Sequence, residues 1–178
     1  MNVITTKLQG CVIIEPKIFH DERGFFLETF QADRFAKMVG IKEPFVQDNH
    51  SHSSKGVLRG LHLQKKNPQG KLVRVVRGEV YDVAVDVRQG SLTYGQWEAV
   101  ILSEDNKAQF WVPFGFAHGF VVLSDIADVE YKCTDYYDPS DEETILWNDP
   151  DLNIPWPVDN PILSAKDKAA KRLSELNL

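Results

Sequence analysis

The chain has 178 residues, 43% of them hydrophobic and 26% charged, with a formal net charge of -6. That profile predicts one globular domain over residues 1–178 with a full hydrophobic core, and the negative charge argues against nonspecific nucleic-acid binding. No apolar run reaches the roughly 18 residues of a membrane helix, and Met1–Lys7 lacks the layout of a signal peptide, so no membrane contact and a cytoplasmic location are expected.

In chain order, strands are predicted at Cys11–Glu15 and Phe25–Phe30, then a short helix at Asp33–Val39 ended by Gly40. Strands follow at Phe45–His50 and Val57–Gln64. Lys71–Val76 and Glu79–Val87 flank Arg77-Gly78, which reads as the tight turn of a hairpin. In the second of these, Tyr81, Val83, Val85 and Val87 share a buried face, and Asp82 and Asp86 take the opposite one. Gln96–Leu102, Ala108–Val112, Gly119–Leu123 and Val129–Tyr136 complete the strands. Four prolines make Asn148–Pro161 an extended, turn-rich connector. Ser164 is a good N-cap for a C-terminal helix carrying Ala165, Ala169, Leu173 and Leu176 on one face.

Many short strands with short peripheral helices and a C-terminal helix predict an all-β sandwich or jelly roll. The jelly roll is favoured because its interior gives strand-borne histidines and aromatics a pocket to face. Sheet edges need covering, and homodimerisation is one solution. Cys11 and Cys133 are too few for a disulfide framework and share no metal-type spacing, so they read as buried free thiols.

Two segments carry chemistry. Gly56-Val57-Leu58-Arg59-Gly60-Leu61-His62-Leu63-Gln64 sets a histidine among strand formers beside a cation, and Pro113-Phe114-Gly115-Phe116-Ala117-His118-Gly119-Phe120 sets a second in a similar frame. Imidazole can accept a proton near neutral pH. The cations Arg59, Lys65, Lys66, Lys71, Arg74, Arg77 and Arg88 crowd the same region, which suggests an anionic ligand. Strict alternation places Arg59 and His62 on opposite faces of their strand, unless Gly60 allows a bulge.

Pro113-x-Gly115-x-x-His118 matches half of the metal-binding cupin pattern. The other half is missing, since no second histidine or glutamate follows His62 at the right distance, and a stable transition-metal site needs about three strong donors. His50 and His52 form an H-x-H pair that reads as polar loop histidines. Nucleophile-elbow, P-loop and dinucleotide motifs are absent. Cofactor-free acid–base chemistry by His and Tyr, or plain binding, is what remains.

Seven blocks stand in the order found in dTDP-4-dehydrorhamnose 3,5-epimerases: Gln47–Ser51, Gly56–His62, Gly70–Gly78, Pro113–Phe120, Tyr131-Lys132 with Asp135–Tyr137, Trp147–Pro150 and Leu163–Asp167. The chain resembles that family from about Phe19 to Asp167. The resemblance implies a cupin jelly roll (a double-stranded β-helix) working as a homodimer without metal or organic cofactor. It implies an isomerase, a carbohydrate epimerase that inverts C3 and C5 of dTDP-4-dehydro-6-deoxy-D-glucose on the way to dTDP-L-rhamnose and polysaccharide. By the same resemblance His62 is the base, Tyr131 the proton donor, Asp167 the support of the imidazole and Lys71 the cation near the C4 oxygen. Arg23, Glu28, Gln47, Asn49, Arg59, His118, Glu142 and Lys166 would grip the substrate, with Tyr137 stacked on thymine.

Local readings of the same residues differ. Ser164-x-x-Asp167 is also a helix capping box, Tyr131 also a core aromatic, and Asp141-Glu142-Glu143 also a solvated charge run. Leu63 departs from the family, in which many members carry tyrosine there. The alternatives are an epimerase acting at C3 or C5 alone on another dTDP-4-keto-6-deoxy sugar, a metal-dependent cupin enzyme, and a nucleotide-sugar binding module without catalysis.

Overall fold

Short runs of β-branched and aromatic residues, punctuated by turn formers, build thirteen strands in the computed structural model, which describes residues 1–178. They are β1 (Asn2–Thr5), β2 (Val12–Glu15), β3 (Ile18–Asp21), β4 (Gly24–Leu27), β5 (Gln47–Ser54), β6 (Leu58–Gln64) and β7 (Lys71–Arg77). The rest are β8 (Glu79–Asp86), β9 (Trp97–Ser103), β10 (Gln109–Val112), β11 (Phe116–Val122), β12 (Ile126–Cys133) and β13 (Glu142–Thr144). Helix is confined to α1 (Ala32–Met38), α2 (Ala165–Lys168) and a 3-10 turn at Leu173–Glu175.

Two antiparallel sheets face each other, in the orders β1-β2-β10-β7-β12-β5 and β13-β6-β11-β8-β9, while β3 and β4 form a separate hairpin. This is the expected all-β jelly roll. Between the sheets lies a core that includes Val73, Val75, Val80, Phe110, Phe116, Phe120 and Val129. A second apolar cluster, with Leu61, Val83, Val85, Val121, Ile145 and Trp156, covers the outer face of the five-stranded sheet. The proline-rich connector closes that cluster with Leu152 and Ile154.

Three sequence expectations need correction. The pair β7 and β8 is no hairpin, because β7 pairs with β10 and β12, and β8 with β11 and β9, in different sheets. Gly78, at φ +76°, turns the chain from one sheet to the other. A Cβ there would lie 2.0 Å from the Ile126 carbonyl oxygen and 2.4 Å from Ser124 Oγ, so the corner admits only glycine. Nor is β8 half-exposed. It is flanked on both sides in its sheet and covered on both faces, so Asp82 and Asp86 are wholly buried. Asp86 spends its carboxylate on Arg88, Ser91 and Thr93, stapling the following turn.

The third correction is the C-terminal helix, which stops after four residues. Lys171 instead bridges in parallel to Ile145, its carbonyl accepting from Leu146 N at 2.7 Å, and Leu173 N donates to Asp149 Oδ2 at 2.7 Å. Leu173 and Leu176 still pack on the outer cluster. Sheet-like pairing and burial there outweigh a helical preference worth only tenths of a kcal/mol per residue.

Gly78→Ala should lose about 2 kcal/mol or more of stability, from the left-handed backbone and the carbonyl clash together. Urea unfolding of the purified variant checks it; a loss under about 0.5 kcal/mol would mean that the corner is not tight.

Candidate active site

Between the sheets the apolar packing gives way to a cavity of about 690 Å³. The change can be followed along single strands. On β7 the inward row runs Val75, Val73, Lys71, and on β12 it runs Val129, Tyr131, Cys133. The edge strand β5 turns Gln47, Asn49 and Ser51 inward and its even-numbered residues outward. From the opposite sheet come Arg59 and His62 of β6, His118 of β11 and Glu142 of β13, and α2 adds Lys166 and Asp167.

Arg59 and His62 do face the same way. The pairing of β6 with β11 runs His118 to His62, then shifts before Phe120 to Arg59, and Gly60 sits at the shift with φ +129°. Leu58 and Leu61, three apart, both pack into the outer cluster, which marks the same change of parity. A Cβ on Gly60 would meet Gly119 Cα at 2.6 Å, so the irregularity needs glycine.

His62 Nε2 lies 2.6 Å from Asp167 Oδ1, and its Nδ1 lies 3.8 Å from Glu142 Oε1. The imidazole keeps 22% of its side-chain surface exposed while Asp167 keeps 2%. With Nε2–H donated to the carboxylate, the Nδ1 lone pair is the free one. Asp167 touches both the ring and the helix cap: its backbone N–H donates to Ser164 Oγ at 3.1 Å, which is one half of a capping box, and the same hydroxyl donates to Oδ2 at 2.8 Å. Burial alone would raise the Asp167 carboxyl. The His62 hydrogen bond and charge, with Ser164 and Lys166, bring it below the usual carboxylate range.

Glu142 is part of the cavity wall rather than of a solvated loop. It pairs in register with Gln64 on β6, and its Oε2 accepts from Tyr137 Oη at 2.9 Å and from Lys166 Nζ. Burial raises this carboxyl and Lys166, His62 and Tyr137 lower it further, for a net fall. Across the cavity, burial pushes the Tyr131 phenol up to about 12, aided by nearby Cys133 and opposed by Arg59. Burial lowers Lys71, against the pull of Cys133, Glu142 and Asp82. Arg59 is steadied by Ser53 Oγ, 3.0 Å from both Nε and Nη2.

Asp82 escaped the sequence reading. It is fully buried and both its oxygens face His118 Nε2, at 2.8 and 3.0 Å. Period-two reasoning sent it to solvent. The usable signal was a carboxylate inside an otherwise apolar central strand, because a buried acid requires a partner. Ser51 and Gln69 also line the cavity unforeseen.

Some expected residues lie elsewhere. Arg23 is 85% exposed in the β3–β4 turn and pairs with Asp21, while Glu28 pairs with Arg34 beyond the hairpin; neither lines the cavity. The run of cations disperses. Arg59 and Lys71 reach the cavity, but Arg74 pairs with Glu130 at 2.6 Å on the outer face and Arg88 with Asp86. His50 and His52 are strand residues, not loop ones, and both lean on Asp128 Oδ1 at 3.1 and 2.8 Å on the outer face of the sheet. A hollow of about 310 Å³ on that face is lined by charges such as Asp48 and Lys132 that already pair with one another. No three His, Cys, Asp or Glu side chains are grouped to hold a metal ion.

A jelly roll whose one cavity is lined by two carboxylate-bonded histidines, a lysine and a phenol defines a cupin-type protein equipped for proton transfer. The family model for dTDP-4-dehydrorhamnose 3,5-epimerase matches residues 5–175, and the chain belongs to that family. It is 56% identical over 177 residues to the dTDP-4-dehydrorhamnose 3,5-epimerase of Salmonella typhimurium, covering 98% of this chain and 97% of that one. The Neisseria gonorrhoeae protein of the same name is 55% identical over 172 residues; the match takes in 96% of this chain but 52% of that longer protein. A crystal structure of the dTDP-6-deoxy-D-glucose-3,5-epimerase of Legionella pneumophila, in complex with dTDP-4-keto-L-rhamnose, superposes with a TM-score of 0.97 at 59% identity, covering 99% and 94% of the two chains.

If Asp82 and His118 act as a unit, Asp82→Asn and His118→Gln should each cost roughly 1–3 kcal/mol, and the double variant clearly less than their sum. Urea denaturation of all four proteins measures the coupling. Simple additivity would mean that the contact carries no energy.

Proposed function

We propose that residues 1–178 form one catalytic domain that inverts C3 and C5 of dTDP-4-dehydro-6-deoxy-D-glucose, giving dTDP-4-dehydro-L-rhamnose. The observation that carries this reading is the disposition of His62 and Tyr131, which face one cavity from opposite sheets. Inversion requires a proton to leave one face of the carbon and another to arrive on the opposite face. Family membership and the sugar nucleotide named with the Legionella structure support the choice of substrate.

The chemistry follows from the ketone. The C4 carbonyl acidifies the hydrogens on C3 and C5, since either carbanion delocalises into it. His62 Nδ1 takes the proton, the C–H electron pair becomes the enolate π bond, and the carbonyl pair moves onto the C4 oxygen. Asp167 holds the ring and supports the imidazolium. Lys71 stabilises the enolate oxygen by charge or by lending it a proton, which its burial eases. The Tyr131 phenol, protonated at neutral pH, gives its proton to the other face as the carbonyl re-forms. The base then releases its proton, Tyr131 regains one, and the second carbon follows by the same steps. His118, Arg59, Gln47, Asn49, Glu142 and Lys166 grip sugar and diphosphate, and Tyr137 stacks on thymine at the mouth. The substrate supplies its own electron sink, so no step calls on a cofactor.

The working form we propose is a cytoplasmic homodimer. The β3–β4 hairpin projects with Phe25 and Phe26 uncovered, Phe26 at 71% exposure, as an arm for a second copy. Arg23 and Glu28, distant from their own cavity, would complete the partner's. The buried free thiols Cys11 and Cys133 suit a reducing compartment.

Incubation with substrate in deuterated water should place deuterium at both C3 and C5. His62→Ala should slow that exchange by at least ~10³ and Lys71→Met by ~10² to 10³, with dTDP binding by His62→Ala retained. Exchange at one carbon alone would identify a single-carbon epimerase, and unimpaired exchange in His62→Ala would refute the mechanism.

Mixing Arg23→Ala with His62→Ala chains should restore activity above the sum of the two separate preparations, because each hybrid dimer contains one complete site. A monomer by light scattering, or no recovery in the mixture, would dismiss the shared site.

A further inference from the structure

We propose that Gln64 is a positioning residue that fixes Tyr137 across the cavity mouth and so sets how tightly the nucleoside end of a dTDP-sugar is held. The ligand part of this rests on the reading that Tyr137 covers the base. Gln64 ends β6, two residues beyond His62, and is 5% exposed. A buried primary amide must spend its donors and its acceptor. One donor and the acceptor go to the two sides of one residue. Nε2 donates to the Tyr136 carbonyl at 3.1 Å, and Oε1 accepts from the Asp138 N–H at 2.8 Å, so the amide grips the main chain on both sides of Tyr137. From the facing sheet, Gln47 Oε1 accepts from the N–H of Tyr137 itself at 2.9 Å.

Tyr137 lies in the irregular stretch between β12 and β13, where no strand partner holds the backbone. Side chains replace the missing ladder. Besides Gln64 and Gln47, the Gln69 amide donates to the Asp135 carbonyl at 2.7 Å. The second partner of Gln64 Nε2, the Asn67 carbonyl at 2.7 Å, ties in the loop after β6, whose Lys66 and Asn67 N–H groups donate to Asp141. A flat ring pinned in this way binds an aromatic base without first having to be ordered, and preorganisation of that kind appears as affinity. Gln64 does not line the cavity, so it acts through Tyr137 and leaves the reacting atoms alone.

The test compares wild type with Gln64→Leu, which removes every amide contact at similar volume, and Gln64→Glu, which keeps the acceptor for Asp138 and loses both donors. Amide hydrogen exchange at Asp138 in the ligand-free protein should accelerate in Gln64→Leu. Calorimetric titration with dTDP should show its Kd rising about tenfold, with Gln64→Glu between, while kcat at saturating substrate stays within about twofold. A folded Gln64→Leu with wild-type Kd, or one that loses kcat and keeps Kd, overturns the assignment. Should Gln64→Leu fail to fold, the intermediate Kd of Gln64→Glu decides. If the wild-type chain bound no dTDP, the functional reading would fall, and unchanged exchange at Asp138 would then dismiss the clamp on its own.

Discussion

The hydrogen bond from His62 to Asp167 joins segments 105 residues apart, and much of the architecture serves to make it. Asp167 sits in the first turn of α2, whose N-cap Ser164 caps the helix with its hydroxyl and also holds the far oxygen of the carboxylate. Just upstream, Ile162 lies in a parallel bridge to Val57, and just downstream Lys171 bridges to Ile145. The segment carrying the acid is thus tied to the sheet carrying the base on both sides. A longer helix would have lost the second tie. The brevity of α2 is therefore a requirement of the site, although helical spacing in the sequence runs on past it.

The second constraint is parity. A regular β6 could offer the cavity either Arg59 or His62, because successive side chains alternate between faces. The shift at Gly60 supplies both and keeps Leu58 and Leu61 together on the outer apolar cluster. Close approach of β11 at Gly119 leaves no room for a side chain at Gly60. Here a packing restriction and the aim of two cavity-facing side chains meet at one glycine.

What the sequence disclosed follows from the range of the forces involved. Local chemistry was legible: turn residues, the Ser164 cap and nearly all central strands lie where their own residues put them, with ends displaced by a few positions. The glycine that re-aims Arg59 was legible too, since it stands beside the conflict it resolves. Pairing between distant segments was not. β7 and β8 read as a hairpin because Arg77-Gly78 is a turn in either arrangement, and only the opposing sheet tells a corner from a hairpin. Asp82 and Asp86 read as exposed because alternation presumes one wet face, whereas a central strand clad on both sides has none. The short strands β1, β3 and β13 escaped notice because their pairing comes from their partners rather than from their composition. The cavity brings together eleven of the thirteen expected site residues, ten of them from the ordered motif blocks and Glu142 from outside them; Arg23 on the β3–β4 hairpin and Glu28 just after it have surroundings that a single chain does not define.

Burial acts on the two proposed proton-handling groups of the six-stranded sheet in opposite senses and to one end. It raises the Tyr131 phenol and lowers the Lys71 ammonium, so both are driven toward their neutral forms. Charge that grows on the C4 oxygen in the proposed reaction would be felt beside these buried groups more strongly than in water. The facing sheet differs. On that side burial raises the carboxyls of Asp167 on α2 and Glu142 on β13, but His62, Lys166, Ser164 and Tyr137 more than offset it, so negative charge flanks both nitrogens of the ring that would become an imidazolium. Carboxylates beside the proposed base and a buried phenol and lysine across from it make an asymmetric cavity. In the proposed reaction that asymmetry would favour transfer of a proton away from carbon toward His62 and its replacement from Tyr131, and it arises from which element carries which side chain.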